Sequence, residues 1–305
     1  MHGSPATPIQ DAELTWAILT GVFIATQCAL LSVLVVLKRM AFIGQGISHA
    51  ALGGVGIAAV FGITQGPAYF VIVGAVCVVA ALLVGWMQDK KAIASDTAIG
   101  IVLVASMSLG VTLLAIAERS AEAAHDHSHE HGSSSGHEWE TLLFGQLTNV
   151  GVFDAIVAGA LLLVTLALAL RFGRAILFWA FDERSAGAFG APTNAVQIGL
   201  MIALAATIIA SMKLVGIILA TALLVLPGAC ALRLANKLPA VLTISIVTSL
   251  LALAAGLASA AAFTIPVGGA VVLALVVCYT LTWPLSRIKA YGAGDPPNPP
   301  QRTTL

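Results

Sequence analysis

Histidine is concentrated in one short stretch of this chain. Five of its seven histidines lie within residues 125–137, where they alternate with acidic and small residues. These five are His125, His127, His129, His131 and His137. Neutral imidazole is the commonest zinc ligand, so this alternation places many ligands along a flexible chain. Because alternating histidines on a flexible loop are not held in a tetrahedral ligand geometry, we predict a metal-binding loop with low affinity and fast exchange. The other interpretation is a solvated low-complexity segment with incidental histidines.

A second candidate site combines small residues with two polar side chains. In residues 42–56, FIGQGISHAALGGVG, the small residues Gly46, Ala50 and Gly54 recur every four positions. They therefore line one helix face along which another helix can pack closely. Gln45 and His49 occupy the adjoining stripe. Since an ionisable group inside a membrane span is costly and by default indicates function, His49 is a candidate metal ligand. The alternative is an interior histidine bonded to a neighbouring helix.

A third candidate is a polar stretch later in the chain. The acidic residues Asp182 and Glu183 are followed by small residues, among them Ala188 and Gly190. Pro192 then ends any helix that begins here. The pattern fits a short docking helix, and it also fits an ordinary charged loop.

The elements that position these residues are membrane spans. Hydrophobic residues make up 59% of the 305 positions and charged residues only 9%, against about 25% charged in a soluble domain. We therefore predict an all-α, polytopic transmembrane helical bundle with about nine spans, each needing about 20 apolar residues. The predicted spans cover residues 14–37, 42–63, 68–87, 97–117, 151–170, 195–210, 214–232, 240–262 and 267–283.

The positions of Lys and Arg predict the orientation. With the N-terminus outside, twelve of the fourteen basic residues fall on the cytoplasmic side, and only Arg119 and Lys213 fall outside. Joining the sixth and seventh spans would move Arg233 and Lys237 to the outside. We therefore predict an N-out, C-in protein of the cytoplasmic (inner) membrane.

This topology divides the chain into two parts. Residues 1–290 form the transmembrane domain, with the histidine-rich loop at 118–141 outside and the third polar stretch, 171–194, inside. Residues 291–305, which contain Pro-Pro-Asn-Pro-Pro, are expected to be a disordered tail.

Several classes of function are not supported by the sequence. It contains no GxxxxGK[ST] phosphate-binding loop and no nucleophile elbow, so no ATPase or hydrolase site is expected in this chain. No basic patch suggests a nucleic-acid partner, and lipid is the expected surrounding. Four cysteines are scattered singly through apolar runs and are expected to be small core residues: Cys28, Cys77, Cys230 and Cys278.

The motifs together resemble the ABC-type zinc, manganese and iron permease family. Residues 42–56 are similar to its signature, Gly-Asp-Ala-hydrophobic-Ser-His-Ala followed by a glycine-rich run. The stretches SDTAIGIV at 95–102, ETLLFGQL at 140–147, LVGIIL at 214–219 and LPGACA at 226–231 resemble later segments. The similarity runs in collinear order from about residue 14 to residue 283.

The resemblance implies a function, partners and site residues. It implies a permease subunit that dimerises, couples to a separate ATPase and receives metal from an external solute-binding protein. Residues Asp182, Glu183, Ala188 and Gly190 would belong to a cytoplasmic coupling helix. The metal is cargo, and no permanently bound cofactor is implied.

The resemblance also places a metal path beside α-helical residues 45 and 49. The family's Asp is Gln45 here, which offers only a neutral oxygen to a dication beside His49. The histidines of the loop favour zinc over manganese, because imidazole suits zinc and manganese is better served by carboxylate and water. Iron remains open as a third cargo.

Two other classes of function remain open from the residues. An ion-coupled secondary metal transporter would also suit the histidine-rich loop, but it needs paired charged ligands near the midplane. The predicted spans contain almost no carboxylates. A metal sensor or scaffold without transport is the third possibility.

Overall fold

The computed structural model describes residues 8–63, 66–89, 93–124, 151–188, 192–263 and 265–292. Within these ranges the chain forms ten α-helices and no β-strand. They are α1 (Pro8–Leu37), α2 (Ile43–Val60), α3 (Pro67–Asp89), α4 (Ser95–Ala124), α5 (Val152–Phe181), α6 (Glu183–Ala188), α7 (Thr193–Leu223), α8 (Leu226–Leu234), α9 (Leu238–Phe263) and α10 (Val267–Gly292).

The helices have the length and surface of membrane spans. Eight helical segments in the described residues are long and apolar enough to cross a bilayer, and Ile218–Leu234 is a shorter apolar segment. Large apolar side chains such as Phe153, Leu170 and Phe263 are exposed on the outside of the bundle, where lipid rather than water suits them. The all-α, multi-pass membrane fold predicted from the sequence is confirmed.

The chain reverses direction within α7. Gln27 of α1 donates to Thr207 in the first part of α7, at 3.1 Å. Gly228, twenty-one residues further on, lies against Ser32 of α1, only five residues beyond Gln27. A straight helix would have carried Gly228 about 30 Å away. Gly216 breaks α7, with φ 77° and ψ 165°, a left-handed φ that favours glycine.

This reversal separates two crossings. The first part, Thr193–Met212, crosses in one direction, and the segment Ile218–Leu234 returns toward the end where α7 began. The sequence predicted separate sixth and seventh spans at 195–210 and 214–232, and the break at Gly216 lies within the first turn of the predicted seventh span.

Helix α1 packs against four other helices: α5, α7, α8 and α9. Ser245 and Ser249 of α9 donate to the carbonyl oxygens of Ala29 and Ala25, at 2.8 and 2.9 Å. Lipid tails provide no hydrophobic drive for helix association, so small residues and interhelical hydrogen bonds hold such contacts. The antiparallel α1–α9 pair is built in this way.

Candidate functional site

The α1–α2 turn sets the start of α2. The N–H of Met40 donates to Val35 O at 2.9 Å, and that of Arg39 donates to Val36 O at 3.1 Å. Arg39 has a left-handed φ of 55°, the conformation in which many helices end. Four residues later the chain re-enters the bundle as α2, beginning at Ile43.

Helix α2 is in backbone contact with α4. A Cβ added at Gly56 would lie 2.8 Å from Gly110 O, and one added at Gly53 would lie 3.3 Å from Ser106 O. Real Cβ atoms do not come within 2.8 Å of a backbone oxygen, so position 56 accommodates only glycine unless one of the two helices shifts. Glycines at such an interface allow two membrane helices to approach closely. The contact fixes the position of α2 against α4.

The small residues singled out from the sequence face more than one neighbour. A Cβ on Gly46 would lie 2.9 Å from Ile99 Cγ2 of α4, whereas a Cβ on Gly54 would lie 2.7 Å from Val73 Cα of α3. Ala50 between them is fully buried. The four-residue stripe therefore sits between α3 and α4 and does not face a single helix.

One stripe of α2 stays open. Gln45 is exposed, and His49 and Leu52 are half-buried. Within the described residues, His49 Nδ1 and Ser48 Oγ are both buried and have no hydrogen-bond partner. Such groups inside a membrane span carry a free-energy cost unless a ligand, water or another chain supplies the missing bond. Within the described ranges, α2 therefore contains two buried polar atoms whose hydrogen bonds are not made.

The open stripe borders the return segment after Gly216. A Cβ on Gly44 would lie 3.2 Å from Thr221 Cγ2 and 3.4 Å from Leu224 Cδ1. Thr221 is half-buried, and its hydroxyl donates to Ile218 O at 2.8 Å. The break in α7 thus brings the chain back to the first turn of α2, next to Gln45.

Helix α2 carries few side-chain donors that could contribute to a metal site. One imidazole and the neutral oxygens of Gln45 and Ser48 are present, with no carboxylate on this helix. In the described ranges no three His, Cys, Asp or Glu side chains come together as a metal site. A partial, uncharged ligand set binds a dication weakly, which suits an ion that must leave again.

The acidic end of the third stretch caps a short helix. Asp182 is exposed and its carboxylate accepts the N–H of Ser185 at 3.1 Å, as well as the Ser185 hydroxyl. This is the arrangement of an N-cap residue. Asp182 thus caps the start of α6, a six-residue helix that begins at Glu183 and ends at Ala188.

The remaining candidate residues lie outside the described ranges. These are Gly190 and the five loop histidines, His125, His127, His129, His131 and His137.

A buried polar cluster was not anticipated from the sequence. Gln27 Nε2 donates to Thr165 Oγ1 of α5 at 2.7 Å and to Thr207 Oγ1 of α7 at 3.1 Å. Gln27 is 1% exposed, so the cluster links three spans inside the bundle. Thr165 and Thr207 are single polar side chains in apolar runs, Gln27 follows Thr26 in another, and no spacing relates residues 27, 165 and 207.

Comparison with known proteins relates the whole bundle to one family. The sequence profile of the ABC 3 transport family matches residues 10–284. The manganese transport system membrane protein MntC of Halalkalibacterium halodurans is 30% identical over 272 residues, which cover 88% of this chain and 85% of that protein. The chelated iron transport system membrane protein YfeD of Yersinia pestis is 29% identical over 255 residues, 82% of this chain and 76% of YfeD.

A solved structure shares the fold. A chain of PsaBC from Streptococcus pneumoniae, determined in complex with Fab, superposes with a TM-score of 0.72 at 25% identity. The match covers 92% of this chain and 95% of that one. The profile match, the relatives and the shared fold all extend over nearly the full bundle. The chain therefore belongs to the ABC 3 transport family and is a multi-pass membrane permease subunit of an ABC transporter.

Proposed function

We propose that the chain forms the transmembrane path of an importer for a divalent metal ion, with zinc as the preferred cargo. The observation that carries this proposal is the open stripe of α2, where His49 Nδ1 is buried one turn from the exposed Gln45 and has no partner in the part of the chain that the structure describes. Relatives over most of the chain are named for manganese and chelated iron transport. An ABC permease is driven by ATP, so it does not need carboxylates that couple transport to an ion gradient. We therefore do not propose the ion-coupled secondary transporter.

The choice of zinc rests on the donors of α2. Manganese is best served by carboxylate and water, and imidazole suits zinc and iron. Helix α2 supplies imidazole and neutral oxygens and no carboxylate. The histidine-rich stretch at 125–137 would add further imidazoles at the outer surface. These donors favour zinc over manganese.

The path requires partners. The partial ligand set on α2 would be completed by a second copy of the chain, with the two open stripes facing each other across the path. A separate ATPase would dock on α6, where Asp182 begins an exposed turn between α5 and α7. An external solute-binding protein would deliver the ion to the opposite end. Two alternating conformations driven by ATP would then move the ion.

Metal-resolved uptake tests the proposal. Cells lacking their own zinc and manganese importers would receive the permease with its ATPase, and accumulation of zinc, manganese and iron would be measured by mass spectrometry. We expect ATP-dependent accumulation of isotopically labelled zinc. An excess of unlabelled zinc should reduce this accumulation more than the same excess of manganese. Manganese uptake that zinc does not inhibit would contradict the choice of zinc, and accumulation of none of the three would contradict the metal path itself.

A further inference from the structure

A large apolar cavity is lined by helices other than α2. It measures about 410 Å³ and lies between α1, α5, α7 and the start of α9. Leu34, Phe172, Leu200 and Leu242 are among its walls. Of the residues lining it, only Thr165 and Trp179 carry a polar side-chain atom. Its volume falls in the range of small-molecule sites, about 300–1,000 Å³, but its walls suit a hydrocarbon.

The cavity lies at the positively charged end of the bundle. Its walls come from the last turns of α1, the second half of α5, the first turns of α7 and the first turns of α9. Lys38 and Lys237 lie at the adjoining helix ends, and exposed Arg171 and Arg174 flank the lining residues of α5. The basic residues assign this end to the cytoplasmic leaflet, whose anionic lipids attract such clusters.

One residue that lines the cavity has an unused hydrogen-bond donor. Trp179 is 2% exposed and lines the cavity, and its Nε1–H has no acceptor among the described residues. A buried indole N–H normally has a partner. Lys38 Nζ lies 3.6 Å from the centroid of the same indole ring. A donor and a cation at the edge of an apolar cavity fit an anionic oxygen attached to a hydrocarbon.

We propose that this cavity binds one anionic phospholipid of the cytoplasmic leaflet. An acyl chain fills the apolar walls, and the phosphate or glycerol ester oxygens accept the Trp179 N–H beside Lys38 and Arg174. A soluble anion would not need the apolar walls, and a neutral lipid would not need the basic rim. The bound lipid would brace the first turns of α7 against α1, directly after the short helix α6.

Two glycines allow the cavity to be filled without disturbing the backbone. Gly173 and Gly199 both line it, and a Cβ added at either would meet nothing within 4 Å. Gly173→Leu and Gly199→Leu therefore place a side chain in the space assigned to the acyl chain. Gly269→Leu on α10 is the matched control, because its Cβ also meets nothing within 4 Å and it does not line the cavity. Trp179→Phe removes the N–H together with the five-membered ring of the indole, so its thermal unfolding is measured beside its lipid retention.

Lipid binding to the full chain is the measurement. The protein would be purified in detergent, incubated with equal amounts of phosphatidylglycerol and phosphatidylethanolamine, and analysed by native mass spectrometry. We expect the wild type and Gly269→Leu to retain one phosphatidylglycerol, and the two cavity variants to lose it. Trp179→Phe should retain about tenfold less phosphatidylglycerol, the effect of losing one hydrogen bond to a charged group.

Three outcomes would overturn the proposal. They are no lipid retained by the wild type, equal retention of both lipids, or unchanged retention in both cavity variants. Thermal unfolding of each variant checks that lost lipid does not reflect lost fold. If one leucine variant unfolds early, the other still decides, because Gly173 and Gly199 line the cavity from different helices.

Discussion

Gly110 of α4 lies directly against the backbone of Leu52 of α2. A Cβ added at Gly110 would sit 2.7 Å from both the carbonyl carbon and the carbonyl oxygen of Leu52. No side-chain rotation relieves a contact with backbone, so a methyl group here must push α2 away from α4. The position of the open stripe thus depends on a residue on another helix.

Gly110→Ala should therefore impair both stability and transport. Overpacking of this kind costs about 1–3 kcal/mol, and the shift of α2 should lower uptake further. Gly100→Ala on the same helix is the control, because its Cβ meets nothing within 4 Å. Thermal unfolding in detergent and uptake by reconstituted protein would be compared. Equal behaviour of the two variants would show that α4 does not hold α2 in place.

His49→Ala tests the metal path. A half-buried side chain without an internal partner contributes little to packing, so we expect transport to be lost while the unfolding temperature stays near wild type. Leu52→Ala, on the same open stripe, removes a side chain without removing a metal ligand and should keep transport. A destabilised His49→Ala protein that still transports would assign His49 to the core.

Gln45→Asp tests the missing carboxylate. A charged oxygen one turn from His49 should bind a dication more tightly than the amide does and slow its release. Gln45→Asn is the control, since it has the length of Asp without the charge. Metal affinity by calorimetry and turnover in proteoliposomes would be measured on both. Equal affinity in the two variants would remove residue 45 from the path.

Gln27→Met tests the buried polar cluster. The change keeps the volume but removes two interhelical hydrogen bonds, to Thr165 and Thr207. Bonds of this kind in membrane proteins average about 0.6 kcal/mol, so a loss of about 1 kcal/mol is expected. Thr26→Val removes a bond within α1 only, to Val22 O, and should cost less. Greater stability of Gln27→Met would mean that the cluster serves function and not the fold.

Accessibility to a membrane-impermeant thiol reagent tests the orientation. In a background without the native cysteines, a cysteine at Ser134 should react in intact cells, because the histidine-rich loop is predicted outside. A cysteine at the exposed Asn194, at the start of α7, should react only after permeabilisation. The opposite pattern would invert the topology predicted from Lys and Arg.

Ala188→Trp tests the coupling helix. A bulky side chain on α6 should block a close protein contact, so the permease should insert normally but fail to retain its ATPase in pull-down assays. Gly151→Trp, at the opposite end of α5, is the control. Full ATPase retention by Ala188→Trp would assign the docking role to another cytoplasmic segment.

The sequence by itself determined the class of fold and the family. A bilayer requires about 20 apolar residues per span with all backbone hydrogen bonds satisfied internally, so long apolar runs predict transmembrane helices. The number of such runs and the positions of Lys and Arg between them then predict the topology. The spacing of Gln45 and His49 likewise places both on one stripe, because α-helical periodicity is local. The collinear motifs were sufficient to identify the permease family.

Only the tertiary structure decided how the spans meet. The contacts of Gly56 with Gly110 and of Gly228 with Ser32, and the link from Gln27 to Thr165, join residues far apart in sequence. Local hydropathy has no information about such pairs, since most faces of every span are apolar. The same holds for the cavity beside Trp179, whose walls come from four helices. Packing complementarity, which hydropathy does not encode, determines where these helices touch and where they leave space.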